Sequence, residues 1–268
     1  MVIVFPQCEG WWHKMIDLHC HILPEVDDGA KHLTESIEMA RAAVGQGISV
    51  ITATPHHKNG KFDNEWNSVK EKTEKLNEAL KQEGIPLTVV PGQEIRLYGE
   101  LLEDFSAGNC GGLNQSNYFL IEFPSNHVPR YAERLIFDML MAGLNPIIAH
   151  PERNSEIAQN PDLLYKLVKQ GAAAQLTAAS ITGTFGSKIK KFSFELLNAN
   201  LVHFIASDAH DLKYRSFHMQ EAFAEVEEQF GIDAVEYFKD NADCVIRNEA
   251  IYKEPPERIK KKKFFGIF

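Results

Sequence analysis

The sequence predicts an α/β protein built on a parallel sheet, on three observations. Seven short apolar runs of strand character are mostly separated by amphipathic runs of helical period, and strands alternating with helices imply parallel pairing. No internal repeat or linker divides the 268 residues, so one domain is expected. Polar residues cluster where the strands end, and in parallel α/β folds the site lies at the carboxyl edge of the strands.

Taken in order, IDLHCH (16–21) reads as the first strand and HLTESIEMARAAVGQG (32–47) as a helix, with Thr34 placed as its cap and Gly45 and Gly47 ending it. ISVITATP (48–55) is a buried strand. NEWNSVKEKTEKLNEALKQEG (64–84) is a charged surface helix, and LTVVPGQEI (87–95) is the third strand. A Gly/Asn-rich loop (108–117) leads to YFLIEFP (118–124). A helix over 130–143 precedes NPIIAHP (145–151), and a helix over 161–171 precedes AAAQLTA (172–178). After a helix over 187–200, LVHFIASDAH (201–210) is the seventh strand, and helical segments follow near 216–230 and 233–240. An open doubly wound sheet and a closed barrel both fit this order. No GxGxxG or GxxxxGK[ST] occurs, which weakens a nucleotide-binding wound sheet.

Formal net charge is -9. An acidic chain repels nucleic acid at long range, but a small anionic substrate stays open because bound metal inverts the local potential. The four cysteines, Cys8, Cys20, Cys110 and Cys244, form no CxxC pair, which points to reduced thiols and a cytoplasmic location. The first 14 residues are neither a signal peptide nor a membrane span and read as an add-on to a domain over 15–252. The tail, KEPPERIKKKKFFGIF (253–268), stands apart: its plain reading is a solvated tail, its sharper one a contact with a partner or an anionic membrane surface.

The strand ends carry the chemistry. Strand one brings Asp17, His19 and His21, strand two His56 and His57, strand three Glu94, strand four Glu122, strand five His150, and strand seven Asp208 and His210. Residues two apart on a strand point the same way, so His19 and His21 can grip one ion while Cys20 faces oppositely into packing. A lone HxH is weak, because histidines also sit in cores as satisfied hydrogen-bonders. HxH, DDG, TPHH, QE, IEFP, HPER and SDAH, all in order at strand ends, are far more specific. Imidazoles and carboxylates without thiolate suit Mn²⁺, Fe²⁺, Zn²⁺ or Mg²⁺, and several ions held together serve phosphoryl hydrolysis. Arg153 and Arg215 supply guanidinium forks that match phosphate oxygens; Arg96 and Arg130 are weaker candidates. Cysteine phosphatase chemistry needs Arg six residues after the nucleophile, where Lys14, Val26, Ser116 and Ala250 stand instead. A serine hydrolase lacks its GxSxG.

With these motifs in place, MIDLHCHILPEVDDG, TPHH, PGQEI, IEFP, AHPER and ASDAH resemble the polymerase and histidinol phosphatase (PHP) superfamily. Within it they are similar to the bacterial manganese-dependent protein-tyrosine phosphatases of capsule and exopolysaccharide operons, from Met15 to the tail. The resemblance implies a distorted seven-stranded (β/α) barrel of TIM-like type holding three Mn²⁺ ions. By motif, His19, His21, Glu94 and Asp208 would hold one ion; Glu94 would bridge to a second with Glu122 and His150; Asp28, His56 and His210 would hold the third. The choice of Asp28 over Asp27 follows the family pattern alone. Arg153 and Arg215 match the family's phosphate-binding arginines. Read from the residues themselves, Asp208 or His210 is the expected proton donor to the leaving group. The implied partner is a membrane-linked bacterial tyrosine kinase with a tyrosine-rich tail, together with its phosphorylated substrates. Rival readings are histidinol phosphatase or another phosphoesterase, an amidohydrolase, and a non-catalytic kinase-binding module that retains the ions.

Overall fold

The computed structural model describes residues 15–259. The expected add-on of residues 1–14 and the end of the basic-aromatic tail lie outside the described residues. The order of elements is β1 (Met15–Cys20), α1 (Leu33–Gly45), β2 (Ile48–Ala53), β3 (His56–His57), α2 (Trp66–Gln82), β4 (Thr88–Pro91), β5 (Glu94–Arg96), α3 (Leu101–Ser106), β6 (Tyr118–Glu122), α4 (Ala132–Met141) and β7 (Asn145–Ala149). Then come α5 (Ser155–Gln159), α6 (Asp162–Gln170), β8 (Ala173–Thr177), α7 (Ala178–Thr182), α8 (Ser187–Asn198), β9 (Phe204–Ala206), α9 (Met219–Phe230) and α10 (Ile232–Ile246).

Every strand pairing is parallel, as the alternation of elements requires. The pairs form two ladders, β1-β2-β4 and β3-β5-β6-β7-β8-β9. The seven expected strand positions are all present, but two of them change ladder midway. The run 48–55 breaks after Ala53, where Pro55 has no N–H to give a ladder. The run 87–95 breaks at Gly92, which passes so close to β2 that a Cβ there would meet Thr52 Cγ2 at 2.6 Å. Thr54 N donates to Cys20 O at 2.9 Å and Glu94 N to Pro55 O at 3.1 Å, so the ladders stay joined through the breaks. The circuit returns to β1 at one parallel bridge, Cys20–Ala209. There His21 N donates to Ala209 O at 2.9 Å and Asp208 N to His19 O at 2.8 Å. The architecture is a distorted seven-stranded α/β barrel with a narrow seam beside β1.

Alternation along the strands divides the core. Ile51, Ile95, Phe119, Ile121, Ile148 and Leu176 pack outward against helix residues such as Met39, Leu76, Ile136 and Leu196. On the other face Leu120 precedes Glu122 by two residues and Ala173 precedes Gln175, and both belong to a second cluster with Ile147, Phe204 and Val245. The polar strand ends therefore sit on an apolar floor.

Local departures from expectation have local causes. α1 is capped by His32, whose ring accepts from Glu35 N, and not by Thr34, which lies inside the first turn. Three short helices, α3, α5 and α7, span too few residues to show a period. The segment expected near 233–240 runs on to Ile246 as α10. Residues 253–259 lie against the body: Lys253 Nζ donates to Gly171 O at 2.6 Å, and Arg258 covers the Tyr165 ring at 4.4 Å. Among the described residues no helix is long and apolar enough to cross a membrane.

Candidate metal centre

The centre grows from β1. Asp17, His19 and His21 share one strand face and all three are fully buried. Asp17 accepts from Ser207 N at 2.9 Å and from Ser207 Oγ at 2.5 Å, which ties β1 to the chain leaving β9. His19 Nδ1 donates to Gln175 Oε1 at 2.9 Å, His21 Nδ1 to Asp27 Oδ2 at 2.7 Å, and His210 Nδ1 to Asp208 O at 2.9 Å. Holding Nδ1 as the donor fixes the tautomer and turns the Nε2 lone pair inward, the arrangement metal-binding histidines use. Cys20 faces away as expected, buried, with Sγ 3.6 Å from Ala209 O.

Opposite these imidazoles stand the carboxylates. Glu94 Oε2 lies 3.5 Å from His19 Nε2, 3.4 Å from His21 Nε2 and 2.8 Å from His56 Nδ1, and its Oε1 lies 2.7 Å from His150 Nε2. Asp208 Oδ1 lies 3.3 Å from His19 Nε2 and 3.5 Å from His21 Nε2. Asp28 Oδ1 is 3.3 Å from His56 Nε2 and 3.5 Å from His210 Nε2. Three compact donor groups result: His21, Asp28, His56 and His210; His19, His21 and Glu94; and His56, Glu94 and Glu122. The motif-based set is therefore gathered in one place but is grouped differently among the described residues: His21 also joins the Asp28 group, His56 joins Glu94 and Glu122, and Asp208 and His150 enter no three-donor group, although Asp208 lies beside His19 and His21 and His150 beside Glu94. Glu122 is shared with Arg96, at 2.8 Å from Nη2.

Several features fit bound cations. The Nε2 atoms of His19 and His21 face each other at 3.2 Å, an approach two lone pairs tolerate only with a positive charge between them. Four buried polar atoms, His56 Nδ1, Glu94 Oε2, Asp208 Oδ1 and His210 Nε2, meet oppositely charged atoms at 2.8–3.5 Å but make no well-directed hydrogen bond. Such atoms are rare in native proteins and mark an ion or water. Electrostatics agree. Burial pushes Glu94 and Asp208 up, but nearby imidazoles, and for Asp208 also Arg153 and Arg215, hold both well below the usual carboxylate range. Burial pulls His56 down, yet Glu94 and Asp28 raise it to about 9. Burial, with His21 nearby, brings His210 down to about 4. Without ions, protons on His19, His21 and His56 balance the carboxylates; divalent ions would displace them.

Two arginines meet this centre on one oxygen. Arg153 Nη1 and Arg215 Nη2 both donate to Asp208 Oδ2, the latter at 2.8 Å. Asp208 and His150 have positive φ, 52° and 32°. Non-glycine residues seldom adopt this conformation, and such outliers gather at functional sites. The motifs offer Asp27 only as the alternative to Asp28 and do not single out Gln175 or Glu152. Asp27 accepts from His21, His56 N and Gly29 N, so it orients ligands while Asp28 faces the open donor group. Gln175 was visible only as a polar residue in an apolar run. Glu152 accepts from Thr177 N at 3.0 Å and Ser180 Oγ at 2.6 Å.

A parallel barrel whose carboxyl edge gathers imidazoles, carboxylates and two guanidinia defines a class of α/β proteins with a polar site at the strand ends. The chain belongs to the CpsB/CapC capsular polysaccharide synthesis family, whose model matches residues 15–247. It is 53% identical over 254 residues to the tyrosine-protein phosphatase YwqE of Bacillus subtilis (strain 168), covering 95% of this chain and 100% of that one. A crystal structure from work on YwqE from Bacillus subtilis and CpsB from Streptococcus pneumoniae, unique metal-dependent tyrosine phosphatases, matches with a TM-score of 0.91. It covers 92% of this chain and 100% of its own at 53% identity. A histidinol phosphate phosphatase from Lactococcus lactis shares the fold at 11% identity, with a TM-score of 0.52 over 84% of this chain and 94% of its own.

Proposed function

We propose that this protein is a metal-dependent protein-tyrosine phosphatase, hydrolysing phosphotyrosine on a bacterial tyrosine kinase with a tyrosine-rich tail and on its substrates, in the cytoplasm, in control of capsule or exopolysaccharide synthesis. The observation that carries the reading is the meeting of Arg153 and Arg215 on Asp208, beside donor atoms that make no well-directed hydrogen bond. YwqE and CpsB being metal-dependent tyrosine phosphatases supports the substrate class.

His19, His21, Glu94 and Asp208, then Glu94, Glu122 and His150, then Asp28, His56 and His210 would hold three Mn²⁺ ions. Fe²⁺, Zn²⁺ and Mg²⁺ also suit these donors. Held there, such ions would supply charge neutralisation at phosphate oxygens and activation of water. Arg153 and Arg215 exchange Asp208 Oδ2 for equatorial phosphate oxygens and steady them as charge develops. Asp27 and Gln175 keep His21 and His19 in the tautomer that faces the ions. Asp208 stays ionised at neutral pH, and the remaining His210 proton is held on a carbonyl, so neither is a good proton donor. A tyrosine leaving group with a solution pKa of about 10 needs only modest help. Burial raises the Cys20 thiol well above its usual range and Cys110 up to about 12, so neither is a nucleophile.

The test is release of phosphate from a phosphotyrosine peptide by chelator-stripped protein, with Mn²⁺, Fe²⁺, Zn²⁺ and Mg²⁺ returned separately. Activity should return with metal, vanish in His19→Ala/His21→Ala, and fall about 10²–10³-fold in kcat for Arg215→Lys. Full activity without metal, or none on phosphotyrosine with any ion, refutes the reading.

A further inference from the structure

Ions and guanidinia recognise a phosphoryl group whatever it is esterified to. Three aromatic residues neighbour the donor residues or the two arginines, in space or along the chain. Phe62 stacks on His56, with centroids 6.1 Å apart and planes 7° apart, and Lys61 Nζ covers it at 4.6 Å. Tyr214, next to Arg215, is 71% exposed and has Lys213 Nζ at 4.9 Å. Phe185 is half-buried, and Cζ of Arg153, the guanidinium that also holds Asp208, lies over one face of its ring, 5.2 Å from the centroid.

The placement of Phe185 is built into the fold. Gly183 to Gly186 form a four-residue turn closed by Gly186 N donating to Gly183 O at 2.8 Å, with Thr184 and Phe185 at its corners. Both glycines have positive φ, 88° and 96°, where a side chain would be strained. The turn follows α7, and α7 is pinned through Ser180 to Glu152, the residue before Arg153. One short segment, Pro151–Arg153, thus fixes both the guanidinium and the helix that presents the ring.

We propose that Phe185 is a specificity-determining residue: its ring receives the aryl ring of the substrate when the phosphate sits on Arg153, selecting aryl over alkyl phosphomonoesters. The proposal rests on the phosphatase reading above. An aryl ester carries a flat apolar face next to the phosphate, which an offset or edge-on phenyl contact recognises. An alkyl ester offers no such face, and its phosphate would be held by the ions and arginines alone.

The experiment uses the full chain loaded with one metal, with wild type, Phe185→Leu and Phe185→Trp compared. Turnover is measured on a phosphotyrosine peptide, and inhibition is measured with benzylphosphonate, propylphosphonate and inorganic phosphate. Wild type should bind the benzyl compound more tightly than the propyl one. Phe185→Leu should shrink that ratio about 3- to 10-fold, through KM rather than kcat on the peptide, with phosphate inhibition unchanged. Phe185→Trp should keep the ratio. An unchanged ratio in Phe185→Leu, no benzyl preference in wild type, or equal weakening of all three inhibitors overturns the proposal; the last would mean that Phe185 only props Arg153. If wild type turns over no phosphotyrosine peptide with any ion, the phosphatase reading itself fails and takes this inference with it.

Discussion

Asp27→Asn separates the work of two adjacent carboxylates, Asp27 and Asp28. Asp27 holds three donors: His21 Nδ1 at 2.7 Å, His56 N at 3.0 Å and Gly29 N at 2.9 Å. Asparagine keeps the shape but only one acceptor oxygen. Whichever way the amide turns, at least one buried donor then faces an NH₂ group. Losing a hydrogen bond to a charged partner costs about 1.5–3 kcal/mol, and that is about 10- to 100-fold if it falls wholly on metal affinity, the range seen when orienting partners of metal ligands are removed. Asp28 instead faces His56 and His210, so Asp28→Asn should lower the number of ions bound. Calorimetric metal titration of stripped protein measures both. Excess metal should rescue Asp27→Asn but not Asp28→Asn. Unchanged affinity in Asp27→Asn refutes the orienting role. A lost ion in Asp27→Asn with a full complement in Asp28→Asn means that the ligand was assigned to the wrong aspartate.

Cys20→Ala should keep activity within about twofold, and iodoacetamide should not inactivate wild type, because a buried thiol with a raised pKa is unreactive; inactivation at Cys20 would reopen cysteine chemistry. Gly29→Ala places a Cβ 2.1 Å from His21 O, so it should lower stability by about 1–3 kcal/mol and weaken metal binding together, read by denaturant midpoint and metal titration; a wild-type midpoint contradicts the packing. His203, buried and neutral, has its pKa lowered to about 3 by burial and by Lys253. Its contribution is fully present above about pH 6.5 and is lost as pH falls toward 3, amounting to about 2 kcal/mol by pH 5. Urea midpoints at pH 7.5 and pH 5 should therefore differ less in His203→Asn than in wild type, and an equal difference removes His203 from the acid response.

The barrel was legible because its strands end in unlike chemistry. An apolar run that stops at His150 or Asp208 shows where a strand meets the rim, and the i, i+2 spacing of His19 and His21 gives the face. What could not be read is what depends on distant partners. Gln175 acts on a histidine 156 positions away. The division of two strands at Pro55 and Gly92 needed the neighbouring strand, since Gly92 is constrained by Thr52 across the sheet. Nor does local pattern choose between Asp27 and Asp28, because both follow one turn and only the folded positions of His21 and His56 distinguish them. The capping role of His32 escaped for the same reason that Thr34 attracted it: threonine is the commoner cap, but the helix starts at Leu33, two residues earlier than a Thr34 cap would place it.

The seam beside β1 has a thermodynamic side. His19 and His21 stand on one bank of it, Asp208 and His210 on the other, and one bridge with two backbone hydrogen bonds, beside the Asp17–Ser207 contacts, spans the gap. Ions gripped from both banks would act as cross-links in an incomplete sheet. The melting temperature should then depend on free metal concentration, with stability rising by about 2.7 kcal/mol at a hundredfold excess over Kd. In stripped protein, the amides of His21 and Asp208 should be among the first of the sheet to exchange with solvent.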